Sequence, residues 1–188
     1  MAKLIQALTL DCRERTTGTI STRDLLRRLF FSPGHRAVAT YRVAVQLRES
    51  VPWVGVGRLV AALLISRMGR VPGVEFGSRD VAGIGLHMPH PHDIVIGRGA
   101  RIGSRVTIFN GVTLGARRAP DEQDQGPRRY PVIEDDVVLY AGCKVLGPIT
   151  IGCGSVVGAN AVVLDSCPPG SVMVGVPAVS VDTDGEIH

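Results

Sequence analysis

Aromatic side chains are scarce in this chain of 188 residues: Phe, Trp and Tyr together make 4%. A core built around large rings is excluded, although 45% of residues are hydrophobic and a sizeable core can form. Cysteine is also thin. Cys12, Cys143, Cys153 and Cys167 contain no CxxC pair and no histidine at zinc-finger spacing, so four reduced thiols in a cytoplasmic protein are expected. No apolar run reaches the ~20 residues of a membrane span; the longest, "VGVGRLVAALLISRMG", is interrupted by Arg58 and Arg67. The N-terminus has no signal-peptide layout. The net charge of +4 is mild, and no basic run is interleaved with aromatics, so neither nucleic acid nor membrane is an expected partner.

What the chain has is glycine, 23 residues of it, and aliphatic residues at an unusual spacing. Up to about Val71 the sequence reads helical. Leu25, Leu26, Leu29 and Phe30 fall at helical spacing with Ser21 or Thr22 as N-cap, and Pro33–Gly34 breaks that helix. Ala37, Tyr41, Val45 and Leu47 suggest a second helix, and Val56 to Met68 a third. Residues 1–70 are therefore expected to form a helical cap.

Beyond Val71 a period of six takes over. It runs Ile96, Ile102, Ile108, Leu114, breaks, and resumes as Ile133, Leu139, Val145, Ile151, Val157, Val163. Neither a helix nor a two-residue strand alternation produces it. One short strand and a turn per hexapeptide, with three hexapeptides to a triangular coil, does. The aliphatics then point to the axis, the glycine that often follows supports a tight corner, and stacked coils pair as parallel strands. The interruption, "GARRAPDEQDQGPRRYPV", is polar and proline-rich, and is expected to protrude as a loop over 116–131. The repeat region spans 71–179, and 180–188 forms a tail.

Repeats of this form resemble those of the hexapeptide acyltransferases, whose fold is a left-handed parallel β-helix. Within them the chain is most similar to the serine O-acetyltransferases. "SPGHRAVATYRVAVQL", "GVEFGSRDVAGIGLHMPHPHDIVIG", "VTIFNGVTLG", "AGCKVLGPITIG" and "VGANAVVLDSCPPGSVMVGVPA" carry the resemblance, which covers roughly Phe31 to Val179. It implies acetyl-CoA as donor substrate, a small-molecule acceptor and a homotrimer with sites between subunits; whether two trimers join stays open. In that family a C-terminal peptide ending in Ile docks into a sulfhydrylase. Here Ile187 is penultimate, and no such complex is expected.

Acetyl transfer to a hydroxyl needs a base near neutral pH, which histidine supplies, and a carboxylate to orient it. "GLHMPHPHD" offers His87, His90 and His92. His90 lies six before Ile96, in register with the aliphatic column, where a polar residue marks either an inward-facing group or a distorted coil. The bland alternative is a turn residue between Pro89 and Pro91. The prolines fix an extended segment without an acidic ligand set, so no metal is expected. The resemblance selects His90 as base, with Glu75, fifteen positions earlier, in place of the family's Asp.

The resemblance also assigns acceptor contacts. Arg129 would clasp a carboxylate, Tyr130 replaces a family His, and Pro89 replaces an Asp before the base, with His92 on the rim. An acid that reads the acceptor amine has no match; Asp24 and Asp93 are substitutes without firm grounds. Gly115, Ala116, Ala141, Gly142 and Ala159 would line the CoA groove, with Lys144 nearby. Three readings follow: an O-acetyltransferase of serine or a serine-like hydroxy-acid, one of a sugar or specialised metabolite, or an inactive β-helix scaffold.

Overall fold

The computed structural model describes residues 2–11, 21–50, 73–77, 82–118 and 129–181. Three helices, α1 (Ala2–Asp11), α2 (Thr22–Phe31) and α3 (Pro33–Ser50), come first. Ser21 caps α2, its hydroxyl accepting from the Asp24 amide at 3.2 Å while Asp24 places negative charge in the first turn. Pro33 opens α3, where its missing N–H costs nothing. Helix α1 is not among the helices expected from the sequence. The expected helix over Val56–Met68 and the change of texture near Val71 lie outside the described residues.

Strands follow, each of two to four residues: β1 (Val74–Phe76), β2 (Ile94–Ile96), β3 (Arg101–Ile102), β4 (Thr107–Ile108), β5 (Thr113–Gly115), β6 (Val132–Ile133), β7 (Val138–Leu139), β8 (Lys144–Leu146), β9 (Thr150–Ile151), β10 (Val156–Val157), β11 (Val162–Val163), β12 (Val172–Gly175) and β13 (Ala178–Val181). They form three sheets, β1-β2-β5-β8-β11, β3-β6-β9 and β4-β7-β10-β12-β13. All pairs are parallel except the closing β12–β13 pair. This is the triangular coil that a period of six requires.

Each hexapeptide sends two side chains inward, not one. Ile94 and Ile96, Val106 and Ile108, Val112 and Leu114, Val137 and Leu139 are all fully buried. The sixfold series marks the second of each pair; the first, two residues earlier, is the same face of a short strand.

The glycines after the aliphatics have a different cause from the one expected. Gly103 has an ordinary φ, but a side chain there would sit 2.7 Å from the Glu134 carbonyl carbon of the next coil. Close stacking, not turn conformation, requires it. Several of the left-handed corners fall to polar residues, among them Arg105, Asp136 and Asn160 at φ near 57–60°.

The first coil is wider than the rest. Phe76 pairs with Ile96, twenty residues on, and His87 bridges to Thr107, also twenty on. From Val95 the step shortens to eighteen, pairing it with Thr113. Two additional residues therefore fall between His87 and Val95. They place His90 off the axis: Met88, 1% exposed, occupies the inward position, and His90 is exposed. The expected register of His90 with the aliphatic column does not hold. An imidazole on an all-aliphatic axis would lose its hydration without gaining a partner.

Candidate active site

The β1-β2-β5-β8-β11 face organises the site. Its entering edge is a column of corners stacked by backbone hydrogen bonds. The Gly111 amide donates to the His92 carbonyl at 2.8 Å, the Gly142 amide to Asn110 at 2.8 Å, and the Asn160 amide to Ala141 at 2.9 Å. His90, His92, Ala141, Gly142 and Ala159 thus share one edge of the prism. Its leaving edge carries Gly97, Gly115 and Gly147, joined by Gly97 N–H to Leu114 (2.7 Å) and Gly147 N–H to Gly115 (2.9 Å). Gly115 and Ala116 stand there, one strand's width from the others.

Between the edges, the register aligns Glu75, Val95, Thr113, Lys144 and Val162 in one transverse row. Glu75 is exposed, in the outermost strand. Gly73, two residues before it, lies directly beneath the widened corner: a side chain there would approach His92 Cα at 3.1 Å and the Pro91 oxygen at 3.4 Å. The strand that bears Glu75 thus begins beneath the corner that carries His90, with Glu75 itself on the face between the edges. No hydrogen bond or ion pair joins Glu75 to His90 among the described residues. His92 is exposed and its amide donates to the His90 carbonyl at 2.9 Å, which turns the corner tightly. Lys144 is tied down, its ammonium donating to the Gly111 carbonyl.

Arg129 and Tyr130 stand at the leaving edge. The Arg129 guanidinium donates to the Arg118 carbonyl at 2.7 Å and so closes the neck of the inserted loop, whose residues 119–128 are outside the described set. The Tyr130 ring lies over Gly97, where any side chain would run into it, and packs against the core. Pro89 is half-buried beside His90. Within one copy the expected acceptor contacts divide between both edges of the face. Asp24 is engaged in the cap of α2, bonded to Ser21.

Sequence reasoning missed a second layer. Asp11 and Arg42 form a buried ion pair at 2.8 Å against the first coil, and Phe109 stacks on Tyr140 with ring centroids 5.1 Å apart. A charged Arg42 beside the buried Ala37, Val38 and Tyr41 was the only signal for the former.

Comparison with known proteins fits this geometry. Residues 130–165 match the bacterial transferase hexapeptide family model, which describes six repeats. The serine acetyltransferase of Mycobacterium tuberculosis is 36% identical over 174 residues, covering 93% of this chain and 72% of that protein. The chain belongs to the serine acetyltransferase family.

It is thereby a member of an acyltransferase family. The solved soybean serine acetyltransferase apoenzyme superposes with a TM-score of 0.72 at 33% identity, over 96% of this chain and 70% of that one. A serine acetyltransferase solved in complex with CoA gives 0.68 at 26%, over 96% and 70%. The β-helix is accordingly left-handed, an exception to the usual right-handed crossover. The chain spans 50% to 72% of the length of the first curated serine acetyltransferases it matches. No helix among the described residues is long and apolar enough to cross a membrane. Nor do the described residues contain a group of three or more His, Cys, Asp or Glu able to hold a metal.

Proposed function

We propose that this chain transfers the acetyl group of acetyl-CoA to the hydroxyl of serine or a serine-like hydroxy-acid. The observation that carries the proposal is the widened corner: it exposes His90 on the same edge as the small residues Ala141, Gly142 and Ala159, and above the strand that bears Glu75. A thiol-ester donor laid along that edge would meet backbone N–H and C=O groups with little side chain in the way. Family membership supplies the donor class.

His90 takes the hydroxyl proton as the acceptor oxygen attacks the thioester carbon. The tetrahedral intermediate then collapses, the carbon–sulfur bond breaks, and the imidazolium returns the proton to the leaving thiolate. Glu75 orients the ring and stabilises its charged form; a gap between the two in the ligand-free chain is common for such pairs. Arg129, whose guanidinium also holds the loop neck, reads the acceptor carboxylate. Tyr130, Pro89 and His92 bound the acceptor.

The division of these groups between two edges of one face favours an assembly. A neighbouring copy laid against this face would place its leaving edge, with Arg129, Tyr130, Gly115 and Ala116, beside this copy's His90. A homotrimer satisfies that arrangement for every copy. Pro89 and Tyr130, where the family carries an Asp and a His, favour a second reading in which the acceptor hydroxyl belongs to a sugar or specialised metabolite.

Thiol release from acetyl-CoA tests all three readings, with L-serine set against hydroxy-acids and sugars. Turnover with L-serine or a related hydroxy-acid is expected, and His90→Ala should lower it ~10²–10⁴-fold while leaving the assembly intact. Turnover with a sugar alone moves the acceptor to the second reading. A fully active His90→Ala removes His90 from the mechanism. A protein that neither turns over nor binds CoA is a scaffold.

A further inference from the structure

The widened first coil has little regular strand of its own. Among the described residues between Phe76 and Ile94 it makes only isolated bridges, at Ala82 and His87. Gly83, Ile84 and His87 bond to the next coil, and the Ala82 and Gly83 carbonyls and the Gly85 and Leu86 amides are held from outside, by the helical cap. Asp11 Oδ1 accepts from the Gly85 amide at 2.7 Å and the Leu86 amide at 3.1 Å. The same carboxylate receives Arg42 Nε at 2.8 Å and Nη2 at 3.2 Å. Arg42 also donates to the carbonyls of Ala82, at 2.8 Å, and Gly83. The two side chains are 2% and 11% exposed, so both charges are largely removed from water.

Such a pair is costly as a device for stability alone, since burying two charges offsets much of their attraction. What it does here is specific. It fixes donors and acceptors at four of the five residues from Ala82 to Leu86, just before His90. Two further contacts continue the grip. Gly34, in the first turn of α3, lies so close to the Met88 carbonyl that any side chain at 34 would run into it. His35 meets the His87 ring edge-on, with centroids 6.1 Å apart. On the other flank, Tyr41 of α3 stacks on Phe76 at 4.3 Å, next in sequence to Glu75. The cap therefore touches the chain beside both members of the proposed pair.

We propose that Asp11, Arg42 and Gly34 are positioning residues for His90: the helical cap sets where the imidazole stands by holding the backbone of Ala82–Met88. This rests on His90 acting as the base. A displacement of about 1 Å at a catalytic group can cost ~10²-fold in rate, and from Met88 to Pro91 the chain has no strand pairing to resist one.

The test uses the full chain and four variants, Asp11→Asn, Arg42→Lys, Gly34→Ala and His90→Ala, each measured for thiol release, acetyl-CoA KM, CoA binding and the pH profile of kcat. Asp11→Asn should lower kcat by ~10–100-fold, leave acetyl-CoA KM within about twofold, and move the acidic limb of the pH profile, because a displaced imidazole meets a different carboxylate field. Arg42→Lys, which keeps charge but loses the fork, should lower kcat by less than Asp11→Asn. In a His90→Ala background Asp11→Asn should add no further loss. Unchanged kcat and pH profile at temperatures where Asp11→Asn is folded would overturn the proposal and leave the pair a structural staple. An equal further loss in the double variant would overturn it too. Should Asp11→Asn fail to fold, Gly34→Ala carries the same test with the buried pair intact. An active His90→Ala, by contrast, would refute the base itself, and is read from that variant alone.

Discussion

The coils above Ile94 and the coil below it are built by different means. Above, each coil advances eighteen residues where no loop intervenes, and aliphatic side chains stack on one axis. Every backbone ladder is supplied by the coil above or below. In the first coil the step is twenty, regular strand among the described residues is confined to its ends, and a carboxylate and a guanidinium from distant helices hold part of the backbone. The regular repeat builds the axis, and the proposed chemistry sits at the departure from it. The described regular corners carry glycine or polar residues such as Arg105, Asp136 and Asn160, while the widened one projects a histidine.

The largest expected effect separates these two regions by stability. Leu139 is fully buried on the axis of the regular coils. Leu139→Ala should lower the unfolding free energy by about 2–5 kcal/mol, from lost burial and the cavity left behind. Denaturant unfolding measures it. At temperatures where the variant stays folded, kcat should remain close to that of the parent. A fall in kcat as large as that expected for Asp11→Asn would mean that axis and corner are not separable.

Glu75→Gln probes the opposite side of the comparison. Glu75 is exposed, so its loss should leave unfolding within about 0.5 kcal/mol of the parent. It should lower kcat about tenfold, about 1.4 kcal/mol of barrier, because the amide no longer stabilises the imidazolium. Steady-state kinetics alongside thermal unfolding gives both numbers. A variant that unfolds earlier but turns over normally would assign Glu75 to the edge of the sheet and not to the reaction.

How much of this was legible in the sequence follows the same division. The sixfold aliphatics placed Ile96 through Val163 correctly because in a coil made of backbone ladders every unit obeys one local rule. The second inward residue was masked by its variety: Val106, Val137, Cys143 and Ser155 share a position but no chemistry. His90 was singled out through the resemblance of its surroundings, while its register was misjudged, because counting back by six assumes no change in coil length. Nothing in "GLHMPHPHD" states that two residues have been added; the pairing of His87 with Thr107 does. Asp11 was unreadable for a different reason. It lies seventy-four residues from Gly85, and no local pattern foretells a contact over such a distance.

The smallest effect concerns two thiols that the sequence could not tell apart. Cys143 is buried among the axial side chains, and burial pushes its thiol up from 9.0 to about 12; Cys153 is exposed at a corner. A thiol reagent at pH 8 should therefore label Cys153 in the folded protein and reach Cys143 only on unfolding, as peptide mapping would show. The raised value also has a stability consequence. Below pH 9 the thiol is neutral in both states and nothing is lost. Above it the unfolded chain ionises first, so stability falls as pH rises toward 12, by about 1 kcal/mol between pH 9 and 10. Cys143→Ala, which does not titrate, should lack that increment when its unfolding is compared with the parent across the same range. Equal pH dependence in the two would mean that the axis admits water at Cys143, and that the regular coils are looser than their burial implies.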